Sequence, residues 1–210
     1  VDIFYSHRFD PNTPLEETAD ALESIYRSGK ALYIGISSYS ANKTREMIKI
    51  LNSRGIKLFI HQPSYSMINR WIEKDLTKTL TKNGVGCIAF SPLAQGFLSN
   101  KYLKGIPRGT RVSENSSFSK DLITKNNLKI INNLNSIAKK RNQSLSQLAL
   151  AWVLNNKAVT SALIGVRTVA QLKDNLAALN NLKFTKDEIK KIDKNAKEGN
   201  INLWAPSSSY

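Results

Sequence analysis

GKALYIGISSYS, residues 29–40, decides the reading of the fold. Gly29 suits the left-handed residue that closes a preceding helix. Ala31–Ser37 is a short apolar run of strand length. It ends on the small polar pair Ser37-Ser38, and Ser40 is placed to cap a following helix. Before it, IFYSH (3–7) reads as a strand and Leu15–Ser28 as a helix. That helix has Thr13 as its expected N-cap, Pro14 in the first position and Glu16 and Glu17 at the positive end. After it come an expected helix at Ser40–Ser53, a strand in KLFIHQPSY (57–65), a helix at Trp71–Lys82 and a strand in VGCIAFSPL (85–93). A loop rich in Gly, Ser, Lys and Arg runs to about residue 120. Leu122–Arg141 and Ser144–Asn155 read as helices, the second opened by the capping-box pattern Ser144-x-x-Gln147. VTSALIGV (159–166) is the last expected strand, and Thr168–Asn180 and Lys186–Ala196 are closing helices.

Apolar strands alternating with helices imply a parallel sheet. Each strand also ends on small or polar residues: His7, Ser37-Ser38, Gln62, Ser91 and Gly165-Val166-Arg167. In a (β/α)8 TIM barrel the C-terminal strand ends converge on one face, where the active site is built. A doubly wound sheet also binds ligands at these ends. However, no G-x-G-x-x-G follows a strand, and no G-x-x-x-x-G-K-[ST] occurs. The expected class is therefore α/β, a (β/α)8 barrel. A whole barrel takes eight units and about 250 residues. Residues 1–210 are expected to form a single domain made of about the last five βα units, with the first three absent from this chain. An open arc leaves two strand edges and a half-lined interior. The 210-residue chain on its own is thus expected to fold poorly or to self-associate.

Hydrophobic residues make up 41% of the chain and charged residues 22%. That composition excludes a disordered tail, a collagen-like fibre and a disulfide scaffold. No run approaches the roughly 18 apolar residues of a membrane helix. Residues 1–10 show no basic n-region and no cleavage site, so no signal peptide is expected there. Cys87 stands alone in VGCIAF and reads as a buried structural thiol. A reducing, cytoplasmic setting is expected. The 31 Lys and Arg against 16 Asp and Glu give a net charge of +15, which attracts anions. No helix-turn-helix, zinc knuckle or RNP aromatic pattern supports nucleic acid as the partner. Most of the excess lysine is spread over expected helix faces and reads as a composition bias. Lys101, Lys104, Arg108 and Arg111 form a denser cluster with no acid among them. Two histidines without supporting carboxylate or cysteine spacing make no metal site.

Several blocks in order resemble the aldo-keto reductase family: VDIFYSHR, PNTPLEET, GKALYIGISSYS, HQPSYSMINRW, GVGCIAFSPLAQGFLSNKYLKGIP, LALAWVLNN, SALIGV and NLW. Within it, the chain is most similar to the bacterial L-glyceraldehyde 3-phosphate reductases, which are related to voltage-gated potassium-channel β subunits. The resemblance implies a (β/α)8 barrel and NADPH-dependent reduction of small aldehydes such as L-glyceraldehyde 3-phosphate or methylglyoxal. It aligns the start of this chain with the fourth barrel strand. The family works with a tetrad of Asp, Tyr, Lys and His. Asp, Tyr and Lys come from earlier strands, so the fragment is expected to be inactive by itself. Only the His has a counterpart, His7, and channel β subunits carry Asn there. His7 alone would read as an ordinary strand-end residue. His61 points the other way on its strand and reads as structural.

The resemblance implies a role for each further residue. Ser37, Ser38 and Gln62 match partners of the nicotinamide carboxamide, although the serines also read as helix caps. Phe90 matches an aromatic stacked on the nicotinamide ring, against a plain core reading. Ser91, Leu93, Gln95 and Gly96 match the loop over the pyrophosphate, where small residues let backbone N–H groups approach. Lys101 and Arg111 match basic residues closing over the dinucleotide, against a solvated charged loop. Gln171, Asp174 and Asn175 match positions at the adenosine end. Arg167 stands where relatives often have Ser, and it either pairs with the 2′-phosphate or turns to solvent. The expected cofactor is NADPH/NADP+, the partner a small aldehyde, with a homo-oligomer open and neither nucleic acid nor membrane insertion expected. The alternative is a catalytically dead NADP-binding regulatory module resembling a channel β subunit.

Overall fold

A computed structural model describes residues 1–103 and 124–196. Five strands, β1 (Ile3–Ser6), β2 (Tyr33–Ser37), β3 (Leu58–Gln62), β4 (Gly86–Phe90) and β5 (Ser161–Leu163), lie parallel in sequence order. Helices α1 (Leu15–Arg27), α2 (Ala41–Ser53) and α3 (Leu76–Asn83) connect the first four strands. Before β5 come α4 (Lys125–Lys140) and α5 (Leu145–Asn155), and after it α6 (Val169–Leu176) and α7 (Lys186–Asn195). This α/β arrangement is consistent with part of a (β/α)8 barrel.

Local chemistry accounts for most boundaries. The Ser40 hydroxyl accepts from the Lys43 amide to start α2. Ser144 and Gln147 complete the expected capping box of α5. Gly29 and Gly84 take the left-handed conformation after α1 and α3. Three expectations need correction. Thr13 does not cap α1: its hydroxyl donates to Asp10 at 2.8 Å, and Pro14 holds the N-cap position without a side-chain bond. The segment 71–82 is no single helix but a 3-10 turn at Trp71–Glu73 followed by α3. The Trp71 indole donates to the Ser64 carbonyl at 2.8 Å, so the turn follows the loop after β3. The last strand is three residues long, and α6 passes into a 3-10 turn at Ala177–Asn181.

Alternation along the strands, interrupted by a register shift at Phe59 of β3, divides the side chains between two faces. Ile34, Ile36, Leu58, Cys87 and Ala89 enter the core beneath the helices, with Met47, Leu51, Leu80, Leu148 and Trp152. The opposite, inner face is only partly covered. Tyr33 and Phe59 stack there with ring centroids 4.1 Å apart, yet remain 46% and 43% exposed. Along α6 and the turn after it, Val169, Leu172, Leu176 and Leu179 also stay exposed.

Candidate functional site: a cleft at the strand tips

The C-terminal ends of the strands open on one side of the sheet. His7 follows β1 directly and is exposed. At the end of β2, Ser37 and Ser38 are buried, and Ser38 has φ of 59°. The Ser37 hydroxyl donates to the Gln62 carbonyl at 2.7 Å, and the Ser38 amide donates to the same oxygen at 3.2 Å. Neither serine caps α2, because Ser40 does. Gln62, at the end of β3, is half-buried.

Phe90 ends β4 half-buried. Its amide donates to the Pro63 carbonyl at 2.9 Å, and its carbonyl accepts from Tyr65 at 3.1 Å. The chain then turns sharply. Ser91, Ala94, Gln95 and Gly96 all have positive φ. Such a run is strained for residues with a Cβ and persists only where its surroundings hold it. The amides of Ala94 and Gly96 donate back to Ser91 and Leu93, which fixes the turn. The Gln95 side-chain Oε1 is buried with no hydrogen-bond partner.

A cavity of about 770 Å³ lies between this turn and the start of α6. Phe90, Ser91, Leu93, Gln95, Gly96 and Lys101 form one wall. Arg167, Gln171, Asp174 and Asn175 form the other. Thr168 caps α6 by accepting from the Gln171 amide, and the Gln171 side chain accepts from the Arg167 amide at 2.8 Å. The Asp174 carboxylate already accepts from Gln147 at 2.7 Å and from Ser144 at 3.1 Å. Asp174 therefore joins the cleft wall to α5, in addition to facing the cavity. Arg111, with Lys104 and Arg108 of the same basic cluster, lies outside the described residues.

The structure adds Ser99, Asn100, Tyr102 and Ser146 to the lining. Ser146 sits in the first turn of α5, and only the capping box two residues earlier hinted at its place. Two other titratable groups are distinguished by burial. His61 lies under the helices, its Nε2 3.2 Å from the Tyr39 carbonyl, and burial lowers its pKa to about 4. Burial also pushes the Cys87 thiol up to about 12. Both fit the structural roles expected of them. Among the described residues no group of three or more His, Cys, Asp and Glu gathers as metal ligands. No helix among them is long and apolar enough to cross a membrane.

The profile of the Aldo/keto reductase family matches residues 1–197. The L-glyceraldehyde 3-phosphate reductase of Escherichia coli K12 is 50% identical over 213 residues, covering 99% of this chain and 62% of that protein. A putative voltage-gated potassium channel subunit beta of Schizosaccharomyces pombe is 35% identical, covering 92% of this chain and 58% of its own length. A crystal structure of a thermostable aldo-keto reductase in complex with the inhibitor epalrestat superposes with a TM-score of 0.69 at 27% identity, covering 92% of this chain and 59% of that one. The chain thus spans about three-fifths of the length of these relatives. It belongs to the aldo/keto reductase family.

Proposed function

We propose that this chain supplies the cofactor-binding part of an NADPH-dependent carbonyl reductase acting on small aldehydes, such as L-glyceraldehyde 3-phosphate or methylglyoxal. The observation that carries this reading is the cavity between the strained turn at Ser91–Gly96 and α6, with Lys101 and Arg167 on opposite walls. Its volume falls in the usual range for small-ligand and cofactor sites. Its residues, together with the ends of β2 and β3, which lie outside its lining, suit a dinucleotide in order. Ser38 and Gln62 offer polar groups to a carboxamide, and Phe90 offers a ring face. The 91–96 turn and Lys101 suit a pyrophosphate. Asn175 and Arg167 suit an adenosine 2′-phosphate.

NADPH, when bound, supplies a hydride to the carbonyl carbon. The chain's own residues hold the nicotinamide at the strand tips, bind the anionic end and place His7 beside the reacting carbonyl. His7 orients that carbonyl and assists proton transfer. The tetrad's Tyr, the general acid in the family, with its Lys and Asp, belongs to barrel units outside residues 1–210. Without such a phenol the rate should fall by about 10²–10⁴. Residues 1–210 are read as one domain of five βα units, and the buried thiol of Cys87 suits a reducing, cytoplasmic setting.

The similarity to channel β subunits supports a second reading, an NADP-binding module with no turnover. His7 weighs against it, since the family resemblance gives those subunits Asn at this position. Titration of the native protein with NADPH, followed by nicotinamide fluorescence, tests the cofactor reading: an unchanged spectrum sinks it. Steady-state reduction of L-glyceraldehyde 3-phosphate and methylglyoxal then separates the two readings. Binding without turnover favours the regulatory module.

A further inference from the structure

His7 stands one residue beyond the last paired position of β1. The register ends with Ser6 beside Ile36, and His7 and Arg8 are exposed. Strand pairing therefore stops short of the imidazole. Two contacts flank it instead, and both are made to Tyr39. The Ser6 hydroxyl is hydrogen-bonded to the Tyr39 phenol at 2.7 Å, across 33 positions of sequence. On the other side of His7, the Phe9 ring meets the Tyr39 ring edge-on, with centroids 5.7 Å apart. One residue thus grips the chain both just before and just after His7.

Tyr39 is itself fixed. It is 1% exposed and belongs to the core beneath the helices. A phenol buried this deeply keeps its hydrogen-bond partner. The Tyr39 carbonyl accepts from His61 Nε2 at 3.2 Å, and the next residue, Ser40, caps α2. Phe9 is held in turn against the core, with Lys43 Nζ of α2 5.3 Å from its ring centre. The pairing of Ser6 with the buried Ile36 turns the Ser6 side chain toward the helix layer. Alternation then leaves the next side chain, His7, to the open face of the sheet.

We propose that Tyr39 is a positioning residue for His7: its phenol, through Ser6, and its ring, through Phe9, hold the turn after β1 so that the imidazole meets the substrate carbonyl in one orientation. The proposal rests on the reductase reading above, in which His7 orients that carbonyl, and adds what orients His7. Tyr39 lies outside the lining of the cavity, so it acts on the rate only through the segment it holds.

The test is a double-mutant cycle in the native full-length protein, with NADPH and methylglyoxal. Tyr39→Phe and Ser6→Ala each remove the 2.7 Å bond from one side. Each is expected to lower kcat/KM for methylglyoxal about tenfold, because small displacements of a reacting group are amplified in the rate. The NADPH dissociation constant, read from nicotinamide fluorescence, should stay within about twofold, since the cofactor shares no contact with the bond. In a His7→Asn background, followed by single-turnover oxidation of NADPH, either change should lower the rate by less than about twofold, because the residue it acts through is gone. The same loss in both backgrounds would assign Tyr39 to packing and overturn the proposal. No loss in the unsubstituted background, or an equal loss of NADPH affinity, would also overturn it. Ser6 is only half-buried, so Ser6→Ala carries the test where Tyr39→Phe does not fold. An unsubstituted protein that binds NADPH without reducing the aldehyde, or His7→Asn at full rate, would instead overturn the reading of His7, and the proposal with it.

Discussion

The side-chain amide of Gln147 donates to the Asp174 carboxylate at 2.7 Å and ties the first turn of α5 to the cleft wall on α6. The same amide reaches the Asp174 carbonyl at 3.1 Å, while the Gln147 Oε1 accepts from the Ser144 amide at 3.0 Å. One side chain thus completes a helix cap and anchors a second helix. Gln147→Leu should cost about 2 kcal/mol, from the lost half of the cap and a charge-assisted bond. Urea unfolding measures it. Asp174→Ala combined with Gln147→Leu should cost less than the sum of the two single changes, because the pair shares the Gln147–Asp174 bond, while the loss of the Ser144 bond belongs to Asp174 alone. Additive costs would show that they act separately.

Arg141 holds the segment between the 3-10 turn and α7. Its guanidinium donates to the carbonyls of Asn181 and Lys183, each at 3.0 Å, and pairs with Glu188 at 2.8 Å. It also stacks 3.9 Å from the Phe184 ring centre, with its side chain only 4% exposed. Removing a buried, multiply bonded cation leaves its acceptors unsatisfied. Arg141→Met should lower stability by about 3 kcal/mol. Arg141→Lys should recover little of this, since an ammonium cannot form the planar fork. Full recovery with Lys would show that charge alone matters.

His61 makes stability depend on pH. Burial holds its folded pKa near 4, against 6.5 for the free side chain. Between those values the unfolded chain binds the extra proton, so stability falls as pH falls through this window. The contribution is whole above pH 6.5 and lost near pH 4, with a total of about 3 kcal/mol. Carboxylates also titrate there, so the comparison is with His61→Asn. The unsubstituted protein should lose more stability than the variant between pH 7 and pH 4.5. Parallel losses would count against a neutral buried imidazole.

Arg167 is exposed at the mouth of the cleft, and its backbone amide is fixed by Gln171. If it meets a 2′-phosphate, Arg167→Ser should weaken NADPH about tenfold while changing NADH little. The gap should narrow as salt rises. Equal effects on both cofactors would place the guanidinium in solvent.

Tyr33 and Phe59 expose a stacked apolar pair on the inner face of the sheet. The polypeptide of residues 1–210, expressed alone, should self-associate through this face and the edges of β1 and β5. Light scattering after gel filtration should give a mass above 23.5 kDa. A monodisperse monomer with a reversible melt would contradict this.

The strand–helix order was legible in the sequence because each unit carries its own punctuation. Ser40 and Ser144 cap the helices expected of them, and Gly29 and Gly84 end theirs. These are contacts within a few residues, and composition alone selects them. Thr13 shows the limit: its hydroxyl donates to Asp10, and α1 starts without a side-chain cap.

The site divides the same way. Sequence by itself determined a parallel α/β sheet, polar residues at its strand tips and family membership, since order and local periodicity carry these. Tertiary structure alone decided what those residues do to one another. Ser37 and Ser38 share the Gln62 carbonyl, and Asp174 is held by a helix nearly 30 positions earlier. The Tyr5 ring packs across β2 in the space that a side chain at Gly35 would fill. Each of these links joins residues far apart in the chain, so no local pattern encodes it. Closing the sheet in one register sets all of them at once.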